Sequence, residues 1–220
     1  MLSVVYLVLT CALARPPDAT LEALDGALGR LEDPAQVRSM VVTTRFEYAK
    51  LDGEDAHEDL VVTEVTRDEN GVRTVRMIQH LRDGEPVEQA EKKRKDDDEG
   101  VSFDVALPIG DDLVRYRFGP TSVVDEVSVA TFEPAERVRR KDLALGRIAW
   151  DPSTNQPLWL EFAPVKTPTF VQALDTRLEL AGDEGSLHTH RILSRGVGGI
   201  PGMRRRFEMD LTIDQVGWVD

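Results

Sequence analysis

The chain has 220 residues, with 27 Lys and Arg against 40 Asp and Glu, for a formal net charge of −13. Apolar residues make up 41% and charged residues 30%, enough for one substantial core, and this excludes collagen-like, fully disordered and multi-span membrane chains. A surface this acidic repels a phosphate backbone, so nucleic acid is not expected as a partner.

Met1 to Ala14, MLSVVYLVLTCALA, carries no charge and ends in Ala12-Leu13-Ala14, followed by Arg15-Pro16-Pro17. An apolar run closed by an A-x-A pattern predicts a secretory signal peptide cut after Ala14, and the run is too short to span a bilayer. Attachment of lipid at Cys11 is the lesser alternative. Cys11 is the only cysteine. Cleavage after Ala14 therefore leaves no disulfide, thiolate zinc site or cysteine nucleophile, which points to a bacterial periplasm. The expected organisation is a signal peptide over 1–14 and one domain over 15–220.

Leu21, Leu24, Leu28 and Leu31 fall at helical spacing, with Thr20 as N-cap and Asp33-Pro34 as a stop, so an amphipathic helix is expected there. From Ser39 the period becomes two. Val42, Thr44, Phe46 and Tyr48 oppose Val41, Thr43, Arg45 and Glu47. Leu60 to Arg67 and Val72 to Leu81 read as strands joined through Asn70-Gly71, a strong hairpin signal. Asp83 to Gly100 interrupts the pattern with eight acids and four bases, and reads as a solvated insert.

Strands are then expected over 113–119 and, after Gly119-Pro120, over 123–132. Leu143 to Trp150 meets a turn at Asp151 to Asn155, and Leu158, Leu160 and Phe162 share a face of the next run. Leu174, Thr176, Leu178 and Leu180 share a face, and Leu187 to Ser194 makes a shorter strand. Gly196 to Gly202 reads as a loop. In the last run Met203, Arg205, Phe207, Met209, Leu211 and Ile213 oppose Arg204, Arg206, Glu208, Asp210, Thr212 and Asp214. One face is apolar and the other wet, as in an antiparallel sheet. No helix separates the strands, so a Rossmann topology is disfavoured. The expected fold is mainly β with some α: one large curved antiparallel sheet whose apolar concave face the N-terminal helix covers only partly.

Chemistry-bearing motifs are sparse. His188 and His190 share a strand face, but the third and fourth zinc ligands find no suitable spacing, and no metal or other cofactor is expected. The Gly-rich stretch lacks the lysine of a phosphate loop. No G-x-S-x-G elbow or carboxylate dyad stands out, so no catalytic residue is assigned. Two basic clusters, Arg137 to Lys141 and Arg204 to Arg206, read mainly as cross-strand partners for acids, with an acidic partner or anionic lipid as the alternative.

The hairpin Leu145-Gly-Arg-Ile-Ala-Trp-Asp-Pro-Ser-Thr-Asn-Gln-Pro-Leu-Trp-Leu-Glu-Phe162 resembles one in the lipoprotein-localisation carriers, LolA-like and LolB-like. The exported start, N-terminal helix and many amphipathic strands resemble the same superfamily. The resemblance implies an unclosed β-barrel with an apolar cavity that receives acyl chains. It implies a periplasmic cell-envelope protein that binds a lipoprotein acyl chain or another hydrophobic ligand, and not an enzyme. Two alternatives stand beside this: an envelope sensor of the same fold that binds a membrane-protein partner, and a hydrolase with an unrecognised site. About ten strands present more apolar surface than one helix covers, which motivates a ligand-binding face. Its expected lining is Phe118, Phe132, Trp150, Leu158, Leu160, Phe162, Leu178, Leu180, Met209 and Leu211.

Overall fold

The computed structural model describes residues 20–21, 23–24, 26, 37–68, 72–87, 107–108, 114–136, 142–167, 169–182, 187–200 and 202–218. Eleven strands follow in chain order: β1 (Val37–Lys50), β2 (His57–Arg67), β3 (Arg73–Arg82), β4 (Glu85–Pro86), β5 (Tyr116–Val124) and β6 (Val127–Pro134). After them come β7 (Ala144–Trp150), β8 (Pro157–Pro164), β9 (Val171–Gly182), β10 (Leu187–Gly198) and β11 (Arg205–Trp218). They form one sheet in the order β4-β3-β2-β1-β11-β10-β9-β8-β7-β6-β5. Every pairing is antiparallel. The sheet is not closed: β4 and β5 stand at its two edges. The pairing of β1 with β11 brings the two ends of the described sheet sequence together at its centre. The antiparallel sheet is what the alternation predicts, and its open edges are what the resemblance implies.

The register carries one face from β5 across to β2. Phe132 faces Phe118, Ala130 faces Ile148, and Ile148 faces Leu160. Leu160 then faces Leu178, Leu178 faces Ile192, and Ile192 faces Leu211. Leu211 faces Thr44, and Thr44 faces Val61. Side chains directly opposite in a sheet share a face, so these residues line one apolar surface from β5 to β2. Most of the charges fall on the alternate positions, but Asp59 and His57 share this face, opposite Phe46 and Tyr48.

Beneath β5 to β8 the apolar face is a filled core. Phe132, Ile148 and Leu160 are 1% or less exposed, and they cluster with Tyr116, Ala130, Leu143, Ala144, Trp150 and Leu187. The Tyr116 and Phe132 rings meet edge to face at 5.6 Å, and the Tyr116 hydroxyl accepts a hydrogen bond from the Ala144 N–H at 3.2 Å. Gly146 is required here. A Cβ at that position would collide with the Glu161 carbonyl of the neighbouring strand. Thr20, Leu21, Ala23, Leu24 and Gly26 have helical backbone, and Leu24 belongs to the core cluster. The rest of the expected N-terminal helix lies outside the described residues, as do the whole of 1–14 and the insert from 88 to 100.

Four details differ from the sequence reading. Gly119-Pro120 is no turn. β5 runs through it with a register irregularity between Phe118 and Thr121, which an edge strand tolerates because the missing Pro120 N–H has nothing to pair with. The turn instead falls at Asp125-Glu126, both with positive φ (49° and 69°), the backbone of a tight hairpin usually given to Asn or Gly. Asp83-Gly84, read as the start of a solvated insert, makes a tight turn that returns β4 onto β3. Gly196 and Gly198 belong to β10 rather than to the loop, and Met203 sits in that loop rather than in β11.

Candidate functional site

The apolar face does not stay filled. From β9 onward the same row runs through Leu178 and Leu180, then Leu211, Met209 and Phe207, then Phe46 and Tyr48, and all of these side chains are only partly buried. Phe46 stacks on Phe207 at 6.1 Å and lies 5.7 Å from Tyr48. Gly196 makes room for this group, because a Cβ there would strike the Phe207 ring. At one end the row turns polar. Tyr48 meets His57 at 5.4 Å, the His57 ring nitrogen Nδ1 is 2.8 Å from Asp83, and Arg205 lies over the Tyr48 ring at 5.5 Å. The hydrogen bonds from His57 and from the Glu58 N–H hold the Asp83 carboxyl below its usual range. Nearby, Asp59 is held low first by Arg82 and also by His80.

The ten residues expected from the sequence divide between two settings. Phe132, Trp150 and Leu160 are buried in the core, and Phe118, Phe162 and Leu180 pack against it. Leu158, Leu178, Met209 and Leu211 are partly exposed, with Met209 and Leu211 in the open row. Pairing brings in Phe46, Tyr48 and Phe207, which the expected lining lacked. The alternation had already placed Phe46 and Tyr48 on the apolar side of their strand. The step it could not supply was the pairing of β1 with β11, more than 150 residues away in sequence.

The opposite face is ionic. Arg147 pairs with Glu161, and Glu161 with Arg177 at 2.9 Å. Arg177 reaches Glu179 at 3.1 Å, Glu179 lies 3.8 Å from Arg191, and Arg191 forks onto Asp210 at 2.5 and 2.8 Å. This ladder crosses β7 to β11. It is not built from the two basic clusters for which cross-strand pairing was expected: Arg204 meets Gln172 and Arg205 the Tyr48 ring, and Arg137 to Lys141 lie outside the described residues. Burial pushes the Glu161 carboxyl up, but hydrogen bonds from Arg147 and Arg177 outweigh it and hold the carboxyl low. Arg191 holds Asp210 low in the same way. Trp159 caps the ladder, with the Arg177 guanidinium 4.6 Å and that of Arg147 5.8 Å from its ring. A groove of about 910 Å³ runs along this side, bordered by Glu133, Arg147, Glu161, Asp175, Arg177 and Arg195. Phe132 and Phe162 are the two members of the expected lining that border it. Its cations are already matched by neighbouring carboxylates, so the groove holds together as a salt-bridged surface.

No protein-family model matches the sequence, and a search of curated proteins returns no match. Among solved structures the chain is similar to a LolA superfamily protein from Nitrosomonas europaea, at 15% identity and a TM-score of 0.40, over 92% of this chain and 93% of that one. It is also similar to an outer membrane lipoprotein-sorting protein domain from Vibrio parahaemolyticus, at 10% identity and a TM-score of 0.39, over 91% and 92% of the two chains. A DUF1329 family protein from Desulfovibrio piger follows at 11% identity and a TM-score of 0.33, over 91% and 94%. Likeness at this level carries no argument about ligand or activity, which must come from the two faces themselves.

Proposed function

We propose that the protein is a periplasmic binding protein, not an enzyme, that holds a long apolar ligand such as a lipoprotein acyl chain against the open part of its apolar face. The observation that carries this reading is the continuous row Leu211, Met209, Phe207, Phe46 and Tyr48, apolar, aromatic-rich and only partly buried. From Val42 to Tyr48 the row spans six residue steps, about 20 Å at the rise of an antiparallel strand. Leu178 and Leu180 extend it toward the filled core. The polar end formed by Tyr48, His57, Asp83 and Arg205 suits a ligand with one polar terminus. Export rests on the uncharged run Met1 to Ala14 and its Ala12-Leu13-Ala14 ending.

Each buried methylene contributes about 0.8 kcal/mol, so affinity for fatty acids should rise with chain length until the row is covered. Titration of the purified chain with a fluorescent fatty-acid series tests this. Saturable binding that strengthens with length, and is lost in Phe46→Asp or Met209→Asp, supports the reading. Absence of binding at every length rejects it and leaves an interaction module of the same fold as the better account.

A further inference from the structure

The sheet ends in two edges, and they differ. β5 contains Pro120, which has no N–H to offer, and its register is irregular between Phe118 and Thr121. Both features close an edge to further pairing. At the other edge the short strand β4 covers β3 only at Leu81 and Arg82, with the Val87 N–H donating to the His80 carbonyl at 3.0 Å. From Arg73 to Gln79 the outer side of β3 meets no other strand of the sheet. The run 72–82 contains no proline, glycine, lysine or carboxylate, and its one register shift, at Ile78, lies near the β4 end.

The backbone of this edge has a defined polarity. The Asp68 N–H donates to the Val72 carbonyl at 3.1 Å, so Val72 turns its carbonyl toward β2. Alternation gives Thr74 and Arg76 to β2 as well, and it leaves the N–H and C=O of Arg73, Val75 and Met77 pointing outward. Exposed apolar side chains occupy the same stretch at equal spacing: Val72 at 59%, Val75 at 49% and Ile78 at 51%. That spacing is symmetric about Val75. A second β3 laid antiparallel, Val75 against Val75, sets Val72 opposite Ile78 on both sides and Arg73 opposite Met77. The outward-pointing residues then face one another, as hydrogen-bonded pairs must. A two-fold at Thr74 would set Val75 against Arg73 and Val72 against Arg76, and one at Arg76 would oppose two guanidiniums. In the Val75 register Arg76 faces Thr74, and its own charge is already met by Glu64 at 2.7 Å.

We propose that two copies of this chain join edge to edge through β3, antiparallel about a two-fold axis at Val75, so that their sheets become one. The contact is isologous and closes on itself. It also joins the apolar faces, because Val75 faces Val65, and Val65 faces Met40. Only the stretch 72–78 takes part on each copy, well short of the roughly 20–30 residues a side of a standard interface, so the dimer is weak and forms at high micromolar concentration. Its rim is acidic: Asp68 of one copy comes level with the β4 end of the other, which carries Glu85. Added salt screens that repulsion and should strengthen the dimer. The inference stands apart from the ligand reading, since it needs no occupant on the apolar face.

The test is sedimentation velocity of the full chain from low to high micromolar concentration, without fatty acid, at two salt concentrations. A reversible monomer–dimer equilibrium that tightens with salt is expected. Val75→Lys sets two ammonium groups opposite each other, and Val75→Pro removes an N–H that no bond within the copy uses. Each should weaken the dimer about tenfold or more. The melting temperature of dilute Val75→Lys should stay unchanged, and Val123→Lys on the β5 edge should leave the dimer intact. Register is read separately. In a Cys11→Ser background, a short thiol cross-linker should join copies carrying Val75→Cys and not copies carrying Val124→Cys. A monomer at every concentration overturns the proposal and leaves the edge for a different chain. A dimer that survives both Val75→Lys and Val75→Pro, or that cross-links through Val124→Cys, overturns it as well.

Discussion

The two halves of the apolar face share one alternating pattern and differ in what covers it. Under β5 to β8, Phe132 at 1% and Leu160 at 0% exposure are sealed in a cluster that includes Leu24. Across β11, β1 and β2 the same face presents Phe207, Met209, Phe46 and Tyr48 partly open. A period of two therefore establishes which side chains go together, while distant segments decide whether they become core or surface. An apolar side chain in the first half contributes stability; in the second it stays partly exposed.

Substitutions break this comparison most sharply where the core is tightest. Phe132→Ala should cost about 3–5 kcal/mol, because the cavity cannot collapse around Tyr116 and Ile148, and thermal unfolding with and without fatty acid should show the same loss. Phe207→Ala, on the open half, should cost only about 1–2 kcal/mol. It should weaken fatty-acid binding in titration, a split that Phe132→Ala does not produce. If both variants lose stability equally and Phe207→Ala leaves ligand affinity intact, the halves are not distinct.

A smaller effect belongs to the charged face. Glu161 and Asp210 are held low by their arginines, so their folded carboxyls titrate below the unfolded ones. Their contribution is fully present above the unfolded value of about 4 and is lost as pH falls through the folded values. Melting temperature should therefore be flat near neutrality and decline below about pH 4. Glu161→Gln should flatten part of that decline at a cost of at most about 1 kcal/mol, because the ladder is partly solvated. The smallest effect is expected from the charged insert. Deleting Glu88 to Gly100, whose composition offers almost nothing to bury, should leave the melting temperature nearly unchanged.

Much of this was legible in the residues. The alternation in β1, β9 and β11 placed Phe46, Leu178 and Met209 on the correct side, and turn chemistry marked the Asp151 to Asn155 bend. The failures have local causes. Gly119-Pro120 has the composition of a turn, yet an edge strand absorbs it, and Asp125-Glu126 turns without the glycine that would have announced it. The split of the apolar face was illegible for another reason. Leu24, far from β6 and β7 in sequence, helps seal the core, and Phe46 meets Phe207 only through the β1–β11 pairing. The ionic ladder had the same character: its acids and bases were visible, but their order across five strands was not.

The central claim is that a ligand occupies the open half of the apolar face and not the filled half or the charged groove. Photocrosslinking with a fatty acid bearing a diazirine near its methyl end, followed by peptide mapping, tests it most directly. The account predicts adducts on β1 and β11 peptides carrying Phe46, Phe207 and Met209, competed away by unlabelled fatty acid. Adducts concentrated on Phe132, Ile148 or the groove residues Arg147 and Arg195, with none on β1 or β11, would contradict it.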